Sequence, residues 1–162
     1  MASDRIVIAD SGPLIALARI RRLDLLPRLV QRIVIPPAVT AEIRDGGDRP
    51  GAREVAAATW IHVEQPDAEL ARSYGLLVDA GEAEALALAA RSAGSLILLD
   101  DRLARRLAES LGIARIGTVG VLVEMRRREW FPSLRRELES LVAQGIHLRQ
   151  EVIDAALHSV HE

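Results

Sequence analysis

Five short apolar runs, each followed by a stretch with helical spacing, set what this chain can fold into. The runs are RIVIA at 5–9, RIVI at 32–35, WIHV at 60–63, SLILL at 95–99 and ARI at 114–116. Between them lie SGPLIALARI, with Ser11 as a candidate N-cap and Pro13 in the first turn; LDLLPRLV, which Pro27 is expected to kink; and PPAVTAEIRDG, bracketed by proline and glycine. DAGEAEALALAARSAG is the strongest helix, alanine-rich, acidic at its start and closed by glycine. DRLARRLAESLG and GTVGVLVEMRRREW follow the last two runs. Strands alternating with helices imply right-handed βαβ crossovers and a mostly parallel sheet of about four or five strands, covered on both faces. One domain is expected over 1–162, and RDGGDRPGAR at 44–53 reads as a mobile loop.

In such sheets ligands bind beyond the carboxyl ends of the strands. Asp10 and Asp100 each stand just past the last apolar residue of a strand, so both are expected at one edge. Each acid also has a plain reading. Asp10 and Ser11 suit the N-cap of the first helix, and Asp100 and Asp101 suit that of a later one. One cap needs only one residue, however, and two adjacent acids repel. Glu42, taken alone, reads as a solvated helix face. Glu82 and Glu84 complement the positive end of their helix, but Glu82 shares its stripe with Leu86, Ala89 and Ala93, the more buried side. Several carboxylates held together raise one another's pKa unless a hard cation balances them, and an all-oxygen donor set suits magnesium or manganese.

Composition removes several competitors. Among 162 residues there is no cysteine and, with a net charge of −2, every basic side chain is arginine. That excludes disulfides, thiol chemistry and the lysine-dependent P-loop, and no GxGxxG follows the first strand. Three of the four histidines (His147, His158, His161) lie near the end of the chain, away from the strand edge. No signal-peptide pattern or membrane-length apolar run is present, so a cytoplasmic protein is expected.

IVIADSGPLIAL, IPPAVTAEI, DAGEAEALALAARSAGSLILLDDRLARRLAESLGI and GTVGVLVEMRR resemble, in sequence and order, the PIN-domain family of metal-dependent nucleases, and most closely its VapC-like toxins. The resemblance implies a three-layer α/β/α fold and cleavage of single-stranded RNA with one or two Mg2+ or Mn2+ ions. It assigns the catalytic, metal-binding acids to Asp10, Glu42, Glu82 and Asp100, with Glu84 a rival of Glu82 and Asp101 a further candidate ligand. Ser11, Arg102 and Arg105 are the expected substrate contacts. Glutamate stands at the third acidic position, where aspartate is usual, and Leu99 where many relatives carry threonine. A homodimer and a cognate antitoxin are implied as partners, within a type II toxin–antitoxin system.

Few aromatics are available for stacking bases, so RNA binding should rest on phosphates and depend on salt. Arg126, Arg127 and Arg128 are expected to face solvent. The closing segments, about 133–160, are expected to pack on the domain or to form an interface, with Val152, Ala155, Ala156 and Val160 as an apolar stripe. Two other readings compete: a non-catalytic nucleic-acid-binding or scaffold relative, and an acid-rich phosphatase-like hydrolase.

Overall fold

The structure, a computed structural model, describes residues 5–162. In chain order it contains β1 (Ile6–Ala9), α1 (Ser11–Arg19), a 3-10 turn (Leu23–Leu25), α2 (Leu26–Leu29), β2 (Arg32–Ile35), α3 (Pro37–Asp45), α4 (Ala52–Ala56) and β3 (Ile61–Val63). There follow α5 (Ala68–Tyr74), α6 (Ala80–Arg91), β4 (Leu96–Leu98), α7 (Arg102–Ser110), β5 (Arg115–Ile116), α8 (Thr118–Arg127), α9 (Leu134–Ala143) and α10 (Gln150–His158).

The strands form one sheet in the order β3-β2-β1-β4-β5, and every neighbouring pair is parallel. Strands buried on both faces read as continuous apolar runs, and IVIA, IVI and LIL do so. Val7, Ala9, Ile33, Ile35, Leu96 and Leu98 pack with the buried faces of α1, α8, α9 and α10. Ile8, Val34 and Ile97 point the other way, into a core closed by α6 and α7. This is the three-layer α/β/α arrangement. Among the described residues no helix is long and apolar enough to cross a membrane.

Four local expectations need correction. Pro27 kinks nothing, because it stands in the first turn of α2, where no hydrogen bond requires its missing N–H. The 44–53 segment is shorter as a loop than its glycines suggest: α3 runs on to Asp45 and α4 starts at Ala52. Gly51 there is buried at φ +90, so close to α1 that a Cβ would lie 2.7 Å from the Ile15 carbonyl, and Arg19 Nε donates to Pro50 O at 3.0 Å. The apolar stripe here is Ile153, Ala156 and Leu157 of α10 with Val160 just beyond it, whereas Ala155 is exposed; the helix is spent on packing against α8 and α9. Of the arginines expected in solvent, Arg126 pairs with Glu162 and Arg128 with Glu124.

Helix α5 lies in a stretch that shows no clear apolar period, because it buries no residue fully. Its signal is the cap: Asp67 follows Pro66 and accepts from the Glu69 and Leu70 amides, both at 3.0 Å.

Candidate metal centre

β1 hands the chain to α1 through Asp10, whose N–H donates to Leu98 O at 3.0 Å, one step beyond the strand. The sheet therefore fixes the backbone of this residue. Its side chain forms no capping bond to α1. Burial instead pushes the carboxyl up to about 6; the Ser11 and Gly12 amides oppose this only in part, while Glu42 and Asp79 add repulsion.

Ser11 is not the N-cap; Asp10 holds that position through its backbone. Ser11 occupies the first helical position and donates its hydroxyl to Glu42 Oε2 at 2.6 Å, tying α1 to α3. The Glu42 carboxylate in turn lies against the first turn of α6. A Cβ added at Gly81 would collide with it, falling 2.9 Å from its Cδ. Glycine at 81 is what lets that carboxylate approach the helix.

Glu82 stands at the third position of α6, in a reciprocal capping box with Asp79. The Glu82 N–H donates to Asp79 Oδ1 at 2.9 Å, and the Asp79 N–H to Glu82 Oε2 at 3.2 Å. Glu82 is only 6% exposed. Burial pushes its carboxyl up to about 7, with repulsion from Asp79 next and smaller contributions from Asp101 and Asp10, against the hydrogen bond from the Asp79 amide. Asp79 is thus a member of this acidic group that the sequence reading left unassigned. The D-x-x-E spacing of DAGE was the available signal.

The remaining acids are engaged elsewhere. Glu84 turns to another face, where its Oε2 accepts from the Ala38 N–H at 2.8 Å, capping α3. Asp101 caps α7, accepting from Leu103 and Ala104 N at 2.8 and 2.9 Å. Asp100 accepts from Thr118 N at 2.8 Å and from its hydroxyl at 2.5 Å, holding the start of α8. Two adjacent acids are needed here because two helix N-termini, those of α7 and α8, meet at this point and take one each. Arg105 donates to Leu99 O at 2.8 Å, and burial, then Arg115, lower its pKa against the pull of Asp100. Arg102 is exposed.

Asp10 is therefore within electrostatic reach of Glu42, Asp79 and Glu82, with Asp79 and Asp101 also acting on Glu82 and Asp100 turned toward Thr118. Among the described residues no three acid or histidine side chains stand ready around a single point.

A profile of the PIN-domain family matches residues 6–162. The chain belongs to the PIN-domain family. PIN domains are generally nucleases, a class of hydrolases. No curated protein matches it.

The acids of this PIN domain fit a divalent cation by two observations. Their donors are all carboxylate oxygens, the set hard cations take. Asp10 and Glu82 are raised by burial, yet among the described residues no ion pair reaches Asp10, Glu42 or Glu82.

Proposed function

We propose that this PIN domain is a magnesium- or manganese-dependent endoribonuclease acting on single-stranded RNA. Asp10, Glu42, Glu82 and Asp100, with Asp101 alongside, would hold one or two ions. The observation that carries the reading is a pair of carboxyls, Glu82 buried and Asp10 partly buried, raised to about 7 and about 6 with no ion pair to either among the described residues. Such acids cost folding stability unless a cation completes them.

A bound ion of this kind polarises a phosphoryl group and lowers the pKa of an attacking water. The protein's own residues prepare the place. Asp10 and Glu82 release their carboxyl protons on loading, which therefore becomes easier as pH rises. The Ser11 hydroxyl fixes the orientation of Glu42, and the Asp79 cap fixes the turn that carries Glu82. Asp100 joins the group only by turning from Thr118. Arg102, exposed on the first turn of α7, and Arg105, held at Leu99, offer guanidinium groups to substrate phosphates.

From the resemblance to VapC-like toxins we extend the proposal to a type II toxin–antitoxin role in the cytoplasm, with a homodimer and a cognate antitoxin. The inward packing of α10 directs the search for those contacts to other surfaces. The non-catalytic binding or scaffold reading draws on Asp100 and Asp101 serving as caps. Cleavage assays on single-stranded RNA separate the two. Activity that stops with EDTA and in Asp10→Asn is expected, whereas an Asp10→Asn protein cleaving like its parent would refute the hydrolytic role of the acids.

A further inference from the structure

On the same edge of the sheet, toward β3, a cleft of about 450 Å³ opens between α3, α5 and α6. Pro37, Pro66 and Gly75 give it flat, short walls, and Gln65, Arg72 and Glu84 supply its polar groups. It adjoins the acidic group at the first turn of α6: Ala80 lines the cleft, and the Glu42 carboxylate lies against the next residue, Gly81.

The polarity of the cleft narrows what it can hold. The amino end of a helix ordinarily attracts an anion, but at α3 that place is taken by the Glu84 carboxylate on the Ala38 N–H. A phosphate is therefore repelled from this end. Oε2 of Glu84 is occupied, whereas Oε1 accepts no hydrogen bond from a described residue and remains an acceptor. Gln65 and Arg72 are exposed and bring donors. A flat group with apolar faces, a donor on one edge and acceptors on another matches this set, as a nucleobase with an exocyclic amine does.

We propose that the cleft is a base-recognition subsite for cytosine or adenine, whose pairing edge sets a ring acceptor beside the amine where guanine sets a donor. The amine donates to Glu84 Oε1, and ring acceptors receive Arg72 or Gln65. The inference rests on the ribonuclease reading and adds a specificity to it: the base next to the cleaved phosphate is selected by its amine. Uracil, which carries a carbonyl in that position, is disfavoured by the carboxylate.

The test uses Asp10→Asn protein, so that bound RNA survives, with fluorescence anisotropy of labelled short oligo-C, oligo-A and oligo-U in Mg2+. Oligo-C or oligo-A should bind about tenfold more tightly than oligo-U. Adding Glu84→Gln keeps an oxygen for the Ala38 N–H but turns an amide N–H2 into the cleft, which should move the preference toward oligo-U. Loss of a helix cap alone would not reverse a base preference. Should that variant fold poorly, Arg72→Ala and Gln65→Ala alter only exposed residues and should each compress the preference. Equal binding of the three oligomers, unchanged by these substitutions, overturns the inference while leaving the ribonuclease reading intact. Absence of binding to all three also overturns the inference, and the ribonuclease reading is then judged by RNA cleavage with the parent protein.

Discussion

Asp100 grips Thr118 with both carboxylate oxygens, Oδ1 on the amide at 2.8 Å and Oδ2 on the hydroxyl at 2.5 Å. A strand-end acid is thereby committed to the start of α8 before any ion arrives. Thr118→Val removes the hydroxyl and leaves the amide. It should lower the stability of the metal-free protein by about 1 kcal/mol and tighten Mn2+ binding, because Asp100 gives up less on turning. Denaturant melts and Mn2+ titrations read the two effects; weaker Mn2+ binding would speak against Asp100 as a ligand.

Metal-free stability should fall as pH rises. Asp10 and Glu82 have folded pKa values of about 6 and about 7, above the ordinary unfolded range of about 4. Between about pH 4 and pH 7 the folded protein therefore holds more protons than the unfolded chain. The sign follows: stability is highest near pH 4–5 and declines through pH 7, by up to roughly 6 kcal/mol in all for two shifts of this size. Melting in EDTA from pH 5 to 8 measures it. In Asp10→Asn the slope should be shallower and the protein more stable at pH 8.

Gly81 separates metal binding from folding. Alanine favours a helix over glycine by about 1 kcal/mol, yet its Cβ would meet the Glu42 carboxylate. Gly81→Ala should fold and lose Mn2+ affinity at least about tenfold, since Glu42 must swing away. A variant with parental affinity would place Glu42 outside the ion-binding set.

Glu162 is a structural acid by contrast. Burial acts to raise its carboxyl, but hydrogen bonds from Leu134 N–H, Arg126, Arg135 N–H and Ser133 together bring it down to about 2. Its contribution is present above about pH 4.5 and is lost as pH falls toward 2. Glu162→Ala should cost about 1–3 kcal/mol at pH 7 and leave RNA cleavage per folded molecule unchanged, as a melt and a rate comparison would show.

The fold was legible because both signals it needs lie within short windows. All five strands fall inside the apolar runs, displaced by no more than a residue at either end. Helix α5 escaped because it buries nothing completely, and α4 because its glycine and proline flank resembles a flexible loop. The acids were legible as candidates but not as partners. Which helix Asp100 or Glu84 caps depends on elements distant in sequence, Thr118 and Ala38, and no local pattern reports such a meeting. The carboxylate of Asp79 was readable locally as a cap, and only the folded arrangement shows that it also presses on Asp10 and Glu82.

The central claim is that Asp10, Glu42 and Glu82 form a divalent-cation site. Thermal unfolding at pH 8, with and without Mn2+, tests it most directly, in the parent, Asp10→Asn and Glu82→Gln. Binding to the folded state alone raises the melting temperature with ion concentration. The account predicts a clear concentration-dependent rise in the parent and little or none in either variant, although both variants should start from a higher metal-free melting temperature. A parent that does not respond to Mn2+, or variants that respond as the parent does, would contradict it.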